Sequence, residues 1–125
     1  MLLLTGTNPT SKEAQTLSQA GATVIQVPVQ PGGGLDLAAV MAILADRGIT
    51  RVLAECGSEL AAGLVRADVV DRIAWFRAAT LIGGDGLGAL AALNIDKAAQ
   101  ARRFEREQSL ALGEDVLETY RRTTY

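Results

Sequence analysis

Short apolar runs rich in β-branched residues alternate with stretches of helical periodicity from Leu2 to Phe76, and a glycine or a capping residue stands at most of the joints. Leu2-Leu3-Leu4-Thr5 reads as a buried strand, and Ala22-Thr23-Val24-Ile25-Gln26-Val27 as a second. Between them, Asn8-Pro9-Thr10-Ser11 starts a helix, Thr10 and Glu13 have capping-box spacing, and Gly21 stops it. Asp36 caps a further helix in which Leu37, Val40, Met41 and Leu44 fall on one face, and Gly48 ends it. Thr50-Arg51-Val52-Leu53-Ala54-Glu55 and Asp71-Arg72-Ile73-Ala74-Trp75-Phe76 read as two more strands, with a helix from Ser58 or Glu59 to Arg66 between them. Such alternation predicts one α/β domain, residues 1–125, with a mostly parallel sheet holding Leu2, Val24, Val52 and Ile73.

The composition narrows the chemistry. A chain of 125 residues that is 49% hydrophobic and 21% charged builds one compact core rather than a disordered segment. A net charge of −2 offers no basic face for nucleic acid or an anionic membrane, and no apolar run reaches membrane-spanning length. The single cysteine, Cys56, forms no internal disulfide and fits a reducing cytoplasm. There is no histidine. Its absence removes the commonest general base, the commonest metal ligand and any Ser-His-Asp triad, so no metal site is expected. Chemistry here has to come from carboxylates, lysine, arginine, backbone groups or a cofactor.

Two segments carry functional signals. Glu55-Cys56-Gly57-Ser58-Glu59-Leu60 joins a strand to a helix through a glycine turn. Unpaired N–H groups at a helix start favour an anion such as phosphate, and glycine lets it approach the backbone. Glu55 stands on the same rim, where a carboxylate can accept hydrogen bonds from a polar substrate. Most such turns merely redirect the chain. Leu81-Ile82-Gly83-Gly84-Asp85-Gly86-Leu87-Gly88 has too many glycines for strand or helix and reads as a mobile or ligand-covering loop, or as a plain connection. Pro31-Gly32-Gly33-Gly34 reads as a flexible surface connector, since no Lys-Ser or Lys-Thr follows it. The tail is ambiguous: Ala98 to Arg103 favours helix, whereas alternation after Arg102 and the turn at Gly113-Glu114-Asp115 favours a hairpin.

Gly48 to Gly57, then Leu60, Gly63-Leu64-Val65, Val69 to Ile73, Ala78 to Gly86 and Leu112-Gly113-Glu114-Asp115-Val116 together resemble the carboxyl-terminal reductase domain of the bifunctional riboflavin-biosynthesis deaminase/reductase. The resemblance implies a dihydrofolate-reductase-like, three-layer α/β domain, with a mostly parallel central sheet and antiparallel C-terminal strands near Leu112. It also implies NADPH-dependent reduction of 5-amino-6-(5-phosphoribosylamino)uracil to the ribitylamino form. Glu55 matches the family's substrate-contacting glutamate. Gly57, Ser58, Glu59, Leu60, Ala61, Ala62 and Gly63 match its cofactor-binding turn and first helical turn; no catalytic residue is assigned.

Two residues depart from the family pattern. Cys56 stands where Gly or Ala is usual, and reads as a small buried hydrophobe rather than a reactive thiol. Ala79 stands where proline is usual. The resemblance further implies that the front part of the family's domain precedes the point matched by Leu2, and that turnover needs it. It implies a homodimer as well. The alternative is a non-catalytic, NADPH-binding or oligomerisation remnant; an unrelated nucleotide-binding domain is a weaker reading.

Overall fold

A computed structural model describes residues 1–8 and 10–123. Contacts gather into two compact units, Met1–Leu53 and Ala54–Tyr125.

In the first unit, β1 (Leu2–Thr5) runs parallel to β2 (Thr23–Gln26), with Leu3 opposite Val24 and Leu4 opposite Ile25. Helix α1 (Lys12–Gln19) makes the crossover. Its cap is Ser11, whose hydroxyl accepts from the Ala14 N–H at 3.2 Å. Thr10, expected to hold that place, is instead bound through its N–H and hydroxyl to Asn8 Oδ1. The Asn8 side chain makes a local turn that delays the helix by one residue. Pro9 lies outside the described residues. Gly21, at φ +88°, ends α1, with its N–H on the Ser18 carbonyl and that of Ala22 on Leu17. This is the paired closure that a left-handed residue permits.

Asp36 caps α2 (Leu37–Ala45) as expected, its carboxylate accepting from the N–H groups of Ala38 and Ala39. Val40 is buried on the expected face, and Leu37, Met41 and Leu44 are half-buried beside it. The connector before α2 is more ordered than its glycines suggest. Val29 pairs with Leu35, and backbone bonds link Gln30 to both Gly33 and Gly34. Gly33 and Gly34 turn that loop at positive φ.

The second unit holds α3 (Ser58–Arg66) and a three-stranded antiparallel sheet. Its strands are β3 (Arg72–Arg77), β4 (Phe104–Leu112) and β5 (Asp115–Arg122), in the order β3-β5-β4. A short 3-10 turn, Ala98–Gln100, is all the helix among the described residues of the tail, so the hairpin reading holds. Leu112 pairs with Asp115 across a two-residue loop that opens with Gly113 at φ +66°. A glycine in the first loop position suits the tight turn whose twist matches the strands.

The α/β class and the antiparallel tail are therefore as expected, but the parallel part is smaller. Among the described residues, parallel pairing is confined to β1 and β2, and the strand carrying Ile73 runs antiparallel to β5. Thr50–Glu55 forms no strand; Val52 is 51% and Leu53 82% exposed. An apolar run becomes a strand only where another strand takes its N–H and C=O groups, and none of the described strands pairs with it.

Candidate functional site

The start of α3 has the geometry that an anion requires. Gly57 is the N-cap in extended conformation, and no side chain caps the helix. The Gly57 carbonyl accepts from Ala61, which begins the helical ladder. The N–H groups of Ser58, Glu59 and Leu60 have no protein partner among the described residues. A Cβ built on Gly57 would meet nothing within 4 Å, so the space beside the turn at this residue is open. Glu55 and Cys56 lead into the turn, both exposed, and Glu55 makes no ion pair among the described residues. Exposure of Cys56 corrects the expectation of a buried hydrophobe: with 50–55 unpaired, no sheet covers it.

The other sequence-predicted residues divide by depth. Ala62 is fully buried and Ala61 and Gly63 half-buried, while Glu59 and Leu60 are exposed. The first turn can thus meet a ligand, whereas Ala62 packs the helix in place. Glu59 puts a carboxylate in the first turn, where it favours the helix but opposes a bound anion.

The glycine-rich loop returns to this helix. After leaving β3, the chain passes Leu81 and Leu87, both fully exposed, and binds back where the Ala91 N–H donates to the Ser58 carbonyl at 3.2 Å. The Arg66 guanidinium donates to the Ala92 carbonyl. Both ends of α3 hold the segment that follows the loop. Gly86 lies close to Ile82 within it: an added Cβ would stand 2.7 Å from Ile82 Cγ2, so that exposed side chain would have to shift.

The C-terminal end of α3 is fixed by charge. Asp68, in left-handed conformation at φ +60°, pairs with Arg102 at 3.2 Å and with Arg122, which also donates to the Asp68 carbonyl. Two arginines at a helix C-terminus lie where the dipole favours cations.

Sequence reasoning missed a second cluster. Register sets Ile73, Trp75 and Arg77 of β3 opposite Tyr120, Glu118 and Val116 of β5, so all share one face. Glu118 is only 8% exposed and meets Arg106 at 3.0 Å, Arg77 at 3.2 Å and the Tyr120 hydroxyl at 3.1 Å. Hydrogen bonding from Arg106 holds its carboxyl below the ordinary range against the opposing effect of burial. Burial, with Glu118 beside it, pushes the Tyr120 hydroxyl up. The signal was a charge at an inward position of an apolar strand, Val116-Leu117-Glu118. Hollows of about 670 and 420 Å³ lie over this sheet, neither lined by Glu55 or the first turn of α3. Among the described residues there is no metal-ligating cluster, and no helix is long and apolar enough to cross a membrane.

Comparison with known proteins gives the family. The profile of the RibD C-terminal domain matches residues 1–117. The riboflavin biosynthesis protein RibD of Escherichia coli (strain K12) is 32% identical over 84 residues, covering 67% of this chain and 23% of that protein. Two solved structures of Acinetobacter baumannii RibD, forms 1 and 2, share the fold at TM-score 0.77 and 20% identity, over 98% of this chain and 31% of theirs. The chain thus spans less than a third of the length of these relatives. With the profile matching from the first residue into β5, the chain belongs to the RibD C-terminal domain family.

Proposed function

We propose that this domain performs the NADPH-dependent reduction of 5-amino-6-(5-phosphoribosylamino)uracil to its ribitylamino form in riboflavin biosynthesis, in the cytoplasm. Family membership supports the reaction class. The single structural observation behind the cofactor is the uncapped start of α3, open beside Gly57, with three N–H groups that have no protein partner among the described residues. Gly57, Ser58, Glu59 and Leu60 would hold a cofactor phosphate by backbone donors, and Ala61, Ala62 and Gly63 would set the helix behind them. Glu55, which makes no ion pair among the described residues, would accept hydrogen bonds from the substrate. The bound nicotinamide supplies the hydride; the protein's part is to bind and orient.

Turnover by these 125 residues alone is expected to be poor, because positioning a substrate takes converging groups and neither hollow over the antiparallel sheet is lined by Glu55. The alternative, an NADPH-binding or oligomerisation module without catalysis, shares the first step and lacks the second. One experiment separates them. Nicotinamide fluorescence titrated with the protein should show binding by the wild type and none by Gly57→Val, whose side chain fills the anion's space. The same samples should then be assayed for substrate-dependent oxidation of NADPH, alone and with the preceding part of a family member's domain added. Equal binding by both proteins would refute the cradle, and no turnover even with the added part would favour the non-catalytic module.

A further inference from the structure

Glu118 and Arg77 line a hollow of about 420 Å³ together with Ile73, Trp75, Phe104 and Tyr120, and Arg106, outside that lining, reaches Glu118 from β4. Its walls are largely aromatic and its floor is charged. One buried carboxylate meets two guanidinium groups, Arg77 at 3.2 Å and Arg106 at 3.0 Å, so the trio carries one net positive charge. Each guanidinium has five donors in a planar fork, and among the described residues neither arginine makes another ion pair or side-chain hydrogen bond. Both arginine side chains remain about 60% exposed although the carboxylate joining them is buried. Glu118 therefore acts as a positioning residue: it neutralises one charge, brings two forks together from the two outer strands, and leaves their remaining donors open.

We propose that this groove binds a small planar aromatic anion, its ring against Trp75 and Phe104 and its single negative charge between Arg77 and Arg106. Charge complementarity selects the occupant. One uncompensated positive charge calls for one anionic group, and aromatic walls favour a flat apolar body, with stacking and guanidinium-π contact adding to burial. The residues that would bind it share no member with the start of α3, so this site stands or falls independently of the cofactor reading.

Trp75 is the only tryptophan in the chain, which gives the test a local reporter. Wild-type fluorescence would be titrated with benzoate, with neutral benzyl alcohol and with acetate. Benzoate is expected to perturb Trp75 saturably, and the other two to bind at least tenfold more weakly, since each lacks half of the recognition. Arg106→Met should weaken benzoate about tenfold, the loss of one charge-assisted contact, and leave benzyl alcohol unchanged. Raising salt should weaken benzoate in the wild type, which keeps the test valid if the variant does not fold. Equal response to benzoate and benzyl alcohol, or benzoate binding indifferent to salt and to Arg106→Met, would overturn the site.

Discussion

Glu118 shows how one residue can tie a sheet together through charge. It lies on the middle strand, and its partners come from both sides: Arg77 from β3 and Arg106 from β4. A buried carboxylate is tolerable only because both oxygens are occupied, Oε1 by Arg106 and Oε2 by Arg77 and Tyr120. Its folded-state pKa lies below the ordinary value of 4.5. The folded protein therefore binds fewer protons than the unfolded chain as pH falls below that value. Glu118 contributes its stability in full above 4.5 and loses it as pH drops through the lowered folded value. Urea midpoints measured from about pH 6 down to about pH 3 should fall for the wild type, and less steeply for Glu118→Gln, which carries no titrating group at that position. Parallel curves would show that Glu118 is not the residue responsible. Gly57 is the contrast at this scale, a residue beside which the structure leaves open space.

At the scale of elements, local chemistry was legible and distant pairing was not. Gly21, Gly48 and Asp36 mark helix ends and a start by conformational preference and capping, which act within a few residues, and each does so in the structure. The α3 start was legible for the same reason, since Gly57 followed by Ser58 and Glu59 needs no distant partner. Val52-Leu53 has the composition of a strand but no pairing partner among the described residues, a condition a window of sequence does not contain. The Glu118 cluster escaped notice because Arg77 and Arg106 meet it only through the β3-β5-β4 register. The alternation in the tail was real evidence for the hairpin, and Gly113 was its strongest local mark. That gives a prediction at this scale. Gly113→Val puts a β-branched side chain at φ +66° and should destabilise the fold by about 1–2 kcal/mol. Gly32→Ala, with open space and no positive φ, should change little. Circular-dichroism melting of the two variants beside the wild type is the check, and an unshifted Gly113→Val would mean that the turn does not hold the hairpin.

At the scale of the whole molecule, the question is what the antiparallel sheet leaves uncovered. The apolar tail residues do not form a single surface: Val116 and Tyr120 share the Glu118 face, while Leu110, Leu112 and Leu117 occupy the other. There they join Phe76, which stands opposite Leu117 and is 66% exposed. Leu110 and Leu112 are 40% and 48% exposed, so the row Phe76-Leu117-Leu110 crosses all three strands with much of its apolar area in water. Among the described residues the outer strands β3 and β4 have no further strand along their outer edges, and such edges invite pairing with another chain. An apolar row and two open edges favour association, and a net charge of −2 opposes it only weakly. We therefore expect a homodimer, the commonest closed arrangement of identical subunits, with this row inside the interface. Light scattering on a sizing column at micromolar concentration should give twice the mass of the chain, and Leu117→Asp should return it to monomer by placing a charge in the middle of the row. A wild type that elutes as a clean monomer, or a Leu117→Asp dimer as tight as the wild type, would rule out this surface as the one that joins the two copies.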